Sequence, residues 1–451
     1  MRKVLCCVVG LSLFTAGSAF ATGYQIPVQS YNSVAKAGAN VASASGADAA
    51  YYNPAGAAWV KDGWVMQANA TYLHLTKAEY YDYRTGTQSQ LGTLNFDGTS
   101  LTENFLLPTF FLLSPTWKDF RFGFSLTAPY GLSKRWEDGY ASVYSHKFSL
   151  QVFEFNPTIT YALSDKFSIA GGARMLYAKG TVINQAGAPY PYLGTIGTPL
   201  QGLVPPTATL SRGMDGSATE WGYNLAADFR PTKELNLAVT FRSRVDLNLT
   251  GEGIMQTNVS TLGTILPVSN RGSISIPAPA VLSFAISYDF GKTTAELGVA
   301  RTYWSKLKSL DFKYATNPAN PATGGNVLFA NFIAPEPRDW HDTTAVKLGL
   351  EYEATKKLTL MAGVAYSESP APDYTLSFEL PDSDTWAFSV GGRYAFTDNL
   401  EVGLGVLYDT AMTRWVGGRS GSPSQTNLSG MNGEITNEAA LLVTLGLQYR
   451  F

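Results

Sequence analysis

The sequence predicts an all-β protein, a 14-stranded antiparallel transmembrane β-barrel. Three observations carry this expectation. Segments of roughly ten residues alternate apolar and polar side chains, as strands do between lipid and a wet lumen. Short turns interleave with long connections along the whole chain. Only 15% of the residues are charged while 13% are aromatic, and no apolar run long enough for a membrane helix occurs beyond residue 21. Soluble domains carry about 25% charged residues.

The C-terminus shows the alternation most clearly. Ala439, Leu441, Val443, Leu445, Leu447, Tyr449 and Phe451 are apolar or aromatic, and Thr444, Gly446, Gln448 and Arg450 fall between them. Side chains two apart share a face, so one face is greasy and the other wet. Further back, Trp64, Met66, Ala68, Ala70 and Tyr72 alternate with Gln67, Asn69 and Thr71. Phe120, Phe122, Phe124 and Leu126 alternate with Arg121, Gly123 and Ser125. Leu235, Leu237, Val239 and Phe241 alternate with Asn236, Ala238, Thr240 and Arg242. A charge facing lipid at mid-membrane costs about 2–4 kcal/mol, so Arg121 and Arg242 set the polar face toward the lumen.

Short turns are expected at Ser114–Asp119, Ala162–Lys166, Arg230–Glu234, Asp289–Lys292, Glu353–Lys357 and Thr397–Asn399. Long connections are expected near 79–100, 131–146, 181–218, 251–272, 313–339, 370–382 and 411–436. Six short turns and seven long loops give an even strand count, with short turns on the periplasmic side.

Residues 1–21 predict a signal peptide. Arg2 and Lys3 precede a mostly apolar stretch from Val4 to Phe14, and Ala19-Phe20-Ala21 is a small-x-small cleavage site. Both cysteines, Cys6 and Cys7, fall inside it, so the processed chain is expected to need neither disulfides nor cysteine-held metal. Its loss would take the formal charge from −2 to −4, with no basic excess to suggest nucleic acid. Residues 62–451 are assigned to the barrel. Residues 22–61 are rich in Ala, Ser and Gly and do not alternate; composition leaves a periplasmic tail and a plug inside the barrel equally open.

An ordered series of motifs resembles the FadL/TodX family of outer-membrane transporters for long-chain fatty acids and other hydrophobic compounds. The series starts with Gly23-Tyr24-Gln25 and Asn53-Pro54-Ala55-Gly56. It continues through Ala128-Pro129-Tyr130-Gly131-Leu132-Ser133, Trp136, Asn156-Pro157, Tyr177-Ala178-Lys179, Trp221-Gly222-Tyr223 and Phe241-Arg242-Ser243. It ends with Trp304-Ser305, Asp339-Trp340-His341-Asp342, Ser369-Pro370-Ala371-Pro372 and Leu380-Pro381-Asp382-Ser383-Asp384. The resemblance implies that residues 22–61 form an N-terminal hatch (plug) inside the lumen. It further implies ligand capture among the outer loops, binding in a lumen pocket touched by the N-terminus, and lateral release where a kinked strand breaks the wall.

By that resemblance, Asn53, Pro54 and Ala55 would hold the hatch, and Gly23, Tyr24 and Gln25 would reach the pocket. Lys179 falls where family members that handle carboxylates place a basic residue, and His341 matches another position that can be basic. Tyr130 and Leu132 are candidates for the outer groove, with Ile183, Tyr190, Tyr192, Leu193, Ile196 and Leu203. Ala128-Pro129 is the candidate lateral opening, because proline removes a ladder donor. One departure stands out: Asp384 is followed by Thr385 where the family pattern has arginine, which weakens carboxylate recognition and leaves aromatic or alkane hydrocarbons as alternative cargo.

No cofactor or metal is expected. Expected partners are outer-membrane lipid and lipopolysaccharide, a hydrophobic small molecule, and the barrel-assembly machinery through Phe451, with the chain a monomer. An outer-membrane lipid hydrolase is the competing enzyme reading. With only His74, His146 and His341, no Gly-x-Ser-x-Gly elbow and no His-Glu-x-x-His, the sequence offers it no motif. A general porin would leave an open aqueous channel, which a hatch argues against.

Overall fold

The computed structural model describes residues 23–451 except positions 87, 90, 91, 94, 138, 187–208, 260–262, 324, 326–328, 330, 331 and 418–426. Fourteen strands build the wall. They are β1 (Val65–Leu75), β2 (Glu103–Leu113), β3 (Phe120–Arg135), β4 (Lys147–Ser164), β5 (Phe167–Ala186) and β6 (Thr209–Phe229). Next come β7 (Leu235–Arg242, continued by Val245–Val259), β8 (Gly263–Ala278, continued by Ala280–Asp289) and β9 (Thr293–Tyr303). The last five are β10 (Thr343–Glu353), β11 (Leu358–Ser367), β12 (Thr385–Ala395), β13 (Leu400–Ala411) and β14 (Ala439–Arg450). Successive strands pair antiparallel, and β14 returns to β1 from Val65↔Arg450 to Leu75↔Ala440. Closing the ring removes the free edges that hydrocarbon would not tolerate.

The alternation sets the facing as expected. Tyr72, Phe122, Leu237 and Leu445 are exposed on the outer face, whereas Gln67, Thr71, Arg121, Ser125 and Thr444 are buried inside. All six short turns lie where the sequence placed them. At that end exposed aromatics gather on the outer surface: Trp64 stacks on Phe451, and Tyr394 meets Phe396 edge-on. Such rings suit a membrane interface, with an apolar body and a polar neighbourhood.

The long connections are shorter than the sequence suggests in three places, one of them 131–146, where β3 stays paired as far as Arg135. Most of 251–272 is not a loop: β7 and β8 run through it to Val259 and Gly263 as a paired hairpin. β5 likewise reaches Ala186 and β6 begins at Thr209, inside the expected 181–218 connection. Beyond the lipid both faces of a strand meet water, so the alternation that marks a spanning strand disappears although the ladder continues.

Residues 23–60 lie within the ring and touch strands around most of it. A short helix, α1 (Tyr31–Ala35), is capped by Ser30, whose hydroxyl accepts from the Ser33 N–H. The Tyr31 hydroxyl donates to Glu401 on β13 at 2.6 Å, and Lys36 pairs with Glu351 on β10 at 2.5 Å. Glu296 on β9 accepts from the Val41 and Ser43 N–H groups at 2.7 and 2.6 Å. Where the segment leaves the lumen, the Arg121 guanidinium on β3 donates to the carbonyls of Ala57, Val60, Lys61 and Gly63. These are charge-assisted bonds between buried or partly buried groups, where removing one partner leaves a costly unpaired group.

Candidate functional site

The site grows from an interruption in the wall. β2 and β3 pair only from Phe110↔Leu126 to Leu113↔Gly123, so β2 above Phe110 has no ladder partner on that side. On the other side of β3 the register with β4 slips: Thr127 faces Glu154 but Tyr130 faces Val152, leaving Ala128 and Pro129 opposite Phe153 alone. This is a β-bulge, and it bends the strand that carries it. Pro129 has no N–H to give, so the slip falls where a donor is already missing. The two strands meet again higher up, where the Ser133 hydroxyl donates to Glu103 at 2.7 Å.

The N-terminal tip lies along this bulge. Gln25 bridges Tyr130 antiparallel, Ile26 N–H donates to the Pro129 carbonyl at 2.8 Å, and Gly131 N–H donates to the Tyr24 carbonyl at 2.9 Å. The Gln29 amide serves both backbone groups of Ala128, accepting from its N–H at 2.9 Å and donating to its carbonyl at 3.0 Å. Gln29 also reaches β2, its own carbonyl accepting from the Thr109 hydroxyl at 2.6 Å. Ile26 and Val28 pack with Phe105 and Leu107 behind the unpaired stretch of β2.

Gly23 and Tyr24 end in an aromatic nest. The Tyr24 ring centroid lies 4.7 Å from Trp304 and 5.8 Å from Trp340, and those two indoles are 5.0 Å apart. Gly23 sits at φ +64°, and a Cβ there would come within 2.8 Å of Trp340. The Tyr24 hydroxyl donates to the Pro277 carbonyl at 2.5 Å. Beside the nest is an apolar cavity of about 30 Å³, lined by Tyr24, Leu132, Phe148, Leu150, Ile276 and Trp340 among others. One end is polar: Arg338 lies 3.1 Å from Glu336 and 3.8 Å from Glu379. Burial pushes the Glu379 carboxyl above the usual carboxylate range; Arg338 opposes that shift and Glu336 adds to it.

The structure brings Gly23, Tyr24, Gln25, Ala128, Pro129, Tyr130 and Leu132 together around the bulge and the cavity. Tyr130 and Leu132, expected in an outer groove, are buried in the interior. Lys179 does not join them: it is exposed on the outer face of β5, in the same register as exposed Tyr177, because successive strand residues point to opposite sides. His341 is also exposed, held by its backbone N–H to the Pro370 carbonyl, while its neighbour Trp340 turns inward. Asn53, Pro54 and Ala55 bind the wall elsewhere. Asn53 donates to Asp228 at 2.6 Å, and the carbonyls of Pro54 and Ala55 accept from Thr160 and Ser168 at 2.6 and 2.8 Å. Ile183 is half-buried on β5, and Tyr190, Tyr192, Leu193, Ile196 and Leu203 lie outside the described residues. Sequence reasoning missed Gln29, Arg338 and Glu379. Trp304 and Trp340 stood in matching motifs without being assigned to the pocket.

The comparisons agree with this architecture. Residues 12–451 match the family model described as outer membrane protein transport protein (OMPP1/FadL/TodX). A long-chain fatty acid transport protein of Escherichia coli O6:H1 is 24% identical over 67% of this chain and 69% of its own length. A 47 kDa outer membrane protein of Pasteurella multocida is 26% identical over 68% of this chain and 71% of that protein. Among solved structures, a Pseudomonas aeruginosa FadL homologue superposes with a TM-score of 0.78 at 19% identity, covering 95% of this chain and all (100%) of that one. The Pseudomonas putida toluene transporter TodX gives 0.68 at 16% identity, over 92% of this chain and 98% of its own.

Proposed function

From the premise that this chain belongs to the OMPP1/FadL/TodX family of outer-membrane transport proteins, we propose how its geometry carries out passive uptake of hydrophobic molecules. The ligand is caught at the extracellular loops and settles in the apolar cavity against Tyr24 and Leu132. Its arrival displaces the tip, and the ligand leaves sideways between β2 and β3 into the bilayer. Residues 22–61 act as a hatch, with Asn53, Pro54 and Ala55 as fixed anchors and residues 23–29 as the moving part. The one observation that carries this reading is the tip's double role: Tyr24 lines the cavity while Ile26 and Gln29 close the wall break. A ligand that moves Tyr24 therefore pulls on the closure.

The closed cavity has room for little more than a water molecule, so binding requires that displacement. Lipopolysaccharide slows hydrophobic solutes at the outer surface, and lateral exit into hydrocarbon recovers about 25 cal/mol for each Å² of apolar surface leaving water. Transfer thus runs downhill and calls for no catalytic step; the chain is a carrier rather than an enzyme. The Arg338–Glu379 end favours amphipathic cargo with a polar head, as the fatty acid transporters' names describe, over the monoaromatic hydrocarbons named for TodX relatives. Phe451 is the mark read by the barrel-assembly machinery, and one chain suffices for the path. Lys179 and His341 stand outside this path.

The test is a staple. Gln25→Cys with Tyr130→Cys, at the bridged pair, locks the tip to β3 when oxidised. Uptake of radiolabelled oleate and of toluene by cells lacking other transporters should stop on oxidation and return on reduction. Equal uptake in both states would refute tip displacement.

A further inference from the structure

We propose that the lumen holds a second ligand subsite beneath the tip, which takes the carboxylate head of an amphipathic ligand on Lys347. The proposal rests on the transport reading above and adds a chemical class to it. A separate cavity of about 80 Å³ lies between the hatch and the inner wall of β7 to β11. Gln25 and Pro27 of the tip form part of its lining, so the tip that closes the upper cavity also borders this one. The wall side presents the hydroxyls of Thr240, Ser283, Thr302 and Ser367, together with Lys347 and with Arg242, whose guanidinium is already paired with Glu154. That volume accommodates a carboxylate and the first carbons of its chain.

Lys347 is the unusual cation of the lumen. Lys36 and Arg393 share Glu351, and Arg174 and Arg242 share Glu154. Lys347 makes no ion pair or hydrogen bond among the described residues. Its electrostatic neighbour is Glu296, whose two oxygens are already bonded to the Val41 and Ser43 N–H groups. Opposite the ammonium stands Gly38, at φ +84°, where a Cβ would lie 3.1 Å from Nζ. Lys347 is half-buried against the hatch, and an ammonium drawn partly out of water without a partner is costly; its usual compensation is an anion with hydrogen bonds for the remaining oxygens. The ring of hydroxyls supplies such bonds, and the one carboxylate that acts on Lys347, Glu296, is held by the hatch N–H groups rather than by Nζ. At about 80 Å³ the space suits the slim head of a single-chain carboxylate better than a bulkier glycerophosphate, and the carboxylate is the occupant we assign.

The experiment compares purified full-length wild type, Lys347→Met and Lys347→Arg, each checked for a folded barrel by heat-modifiable gel migration. Oleate and oleyl alcohol are titrated by equilibrium dialysis. Wild type is expected to prefer oleate; Lys347→Met should weaken oleate about tenfold or more and leave the alcohol unchanged, while Lys347→Arg keeps the preference. Oleate binding to Lys347→Met at wild-type strength would overturn the subsite while leaving the transport reading intact. Wild type that binds neither ligand would remove the transport reading, and the subsite with it. A second measurement needs no variant: in crystals of wild type with 2-bromohexadecanoate, the bromine should lie within about 6 Å of Lys347 Nζ. Bromine confined to the upper cavity would also overturn the proposal.

Discussion

Replacing Gln29 by leucine should unlatch the tip from the wall break. The Gln29 amide makes two bonds to Ala128, at 2.9 and 3.0 Å, and a third to the Ile26 carbonyl at 2.8 Å. Ala128 is buried, and the bulge denies its N–H and carbonyl a partner on β4. Leucine has similar size but no amide, so both backbone groups lose their only described partner. An unsatisfied buried polar group costs about 1–3 kcal/mol, so two of them weaken closure by about 2–6 kcal/mol. Since 1.4 kcal/mol is a factor of ten, the displaced tip gains about thirtyfold or more in population. The effect is local, because Arg121, Asn53 and Lys36 still hold the rest of the hatch. A spin label at position 25 reports tip mobility in detergent-solubilised protein, and entry of the hydrophobic dye 1-N-phenylnaphthylamine reports permeation in cells. The expected result is a mobile label and faster dye entry, with unchanged heat-modifiable migration. An immobile label in Gln29→Leu would refute the latch; a mobile label without faster entry would refute the link between tip and opening.

Three further outcomes follow from the same geometry. Gly23→Ala should shift the tip and alter the fluorescence of the Trp304–Trp340 pair, since its Cβ would meet Trp340 at 2.8 Å and its φ of +64° strains any L side chain by about 1 kcal/mol or more; an unchanged spectrum would count against the nest. Burial raises the Asp382 carboxyl in the β11–β12 loop from 3.8 to about 8, only partly opposed by the Ser369 hydroxyl and Arg414. A raised acid stabilises the folded loop in its protonated form, so that stability is full below about pH 4, declines as pH rises and is lost through about pH 8. Protease cleavage of this loop should therefore increase across that window, and Asp382→Asn should flatten the dependence. Lys179→Ala and His341→Ala, both exposed, should change oleate affinity by no more than about fivefold, because exposed ion pairs contribute about 0.2–1 kcal/mol; a larger loss would return them to the site.

Much of this protein is legible in local pattern. Which side chains face lipid follows from the two-residue period, and Arg121 and Arg242 confirm the register through what a charge costs in hydrocarbon. Turn positions follow from the breaks in that pattern. Strand ends do not, because β5 to β8 extend into water, where nothing selects apolar over polar residues. Lys179 shows a subtler limit: one residue more or less along β5 sends a side chain to the opposite side of the wall, and a motif match carries no such parity.

The sequence by itself determined a closed barrel, its lipid face and its family, since each depends on neighbours a few residues apart or on the order of motifs. Tertiary structure alone decided that the tip adds itself to β3, that Gln29 serves Ala128 across 99 positions, and that Arg338 meets Glu379 at a cavity end. It also decided that Lys347 lies beside Gly38 and forms no ion pair or hydrogen bond among the described residues. These contacts join segments far apart in the chain, and closing a ring makes them neighbours. No local period encodes a distance across the lumen, so only the folded wall, with the hatch seated inside it, assigns those partners.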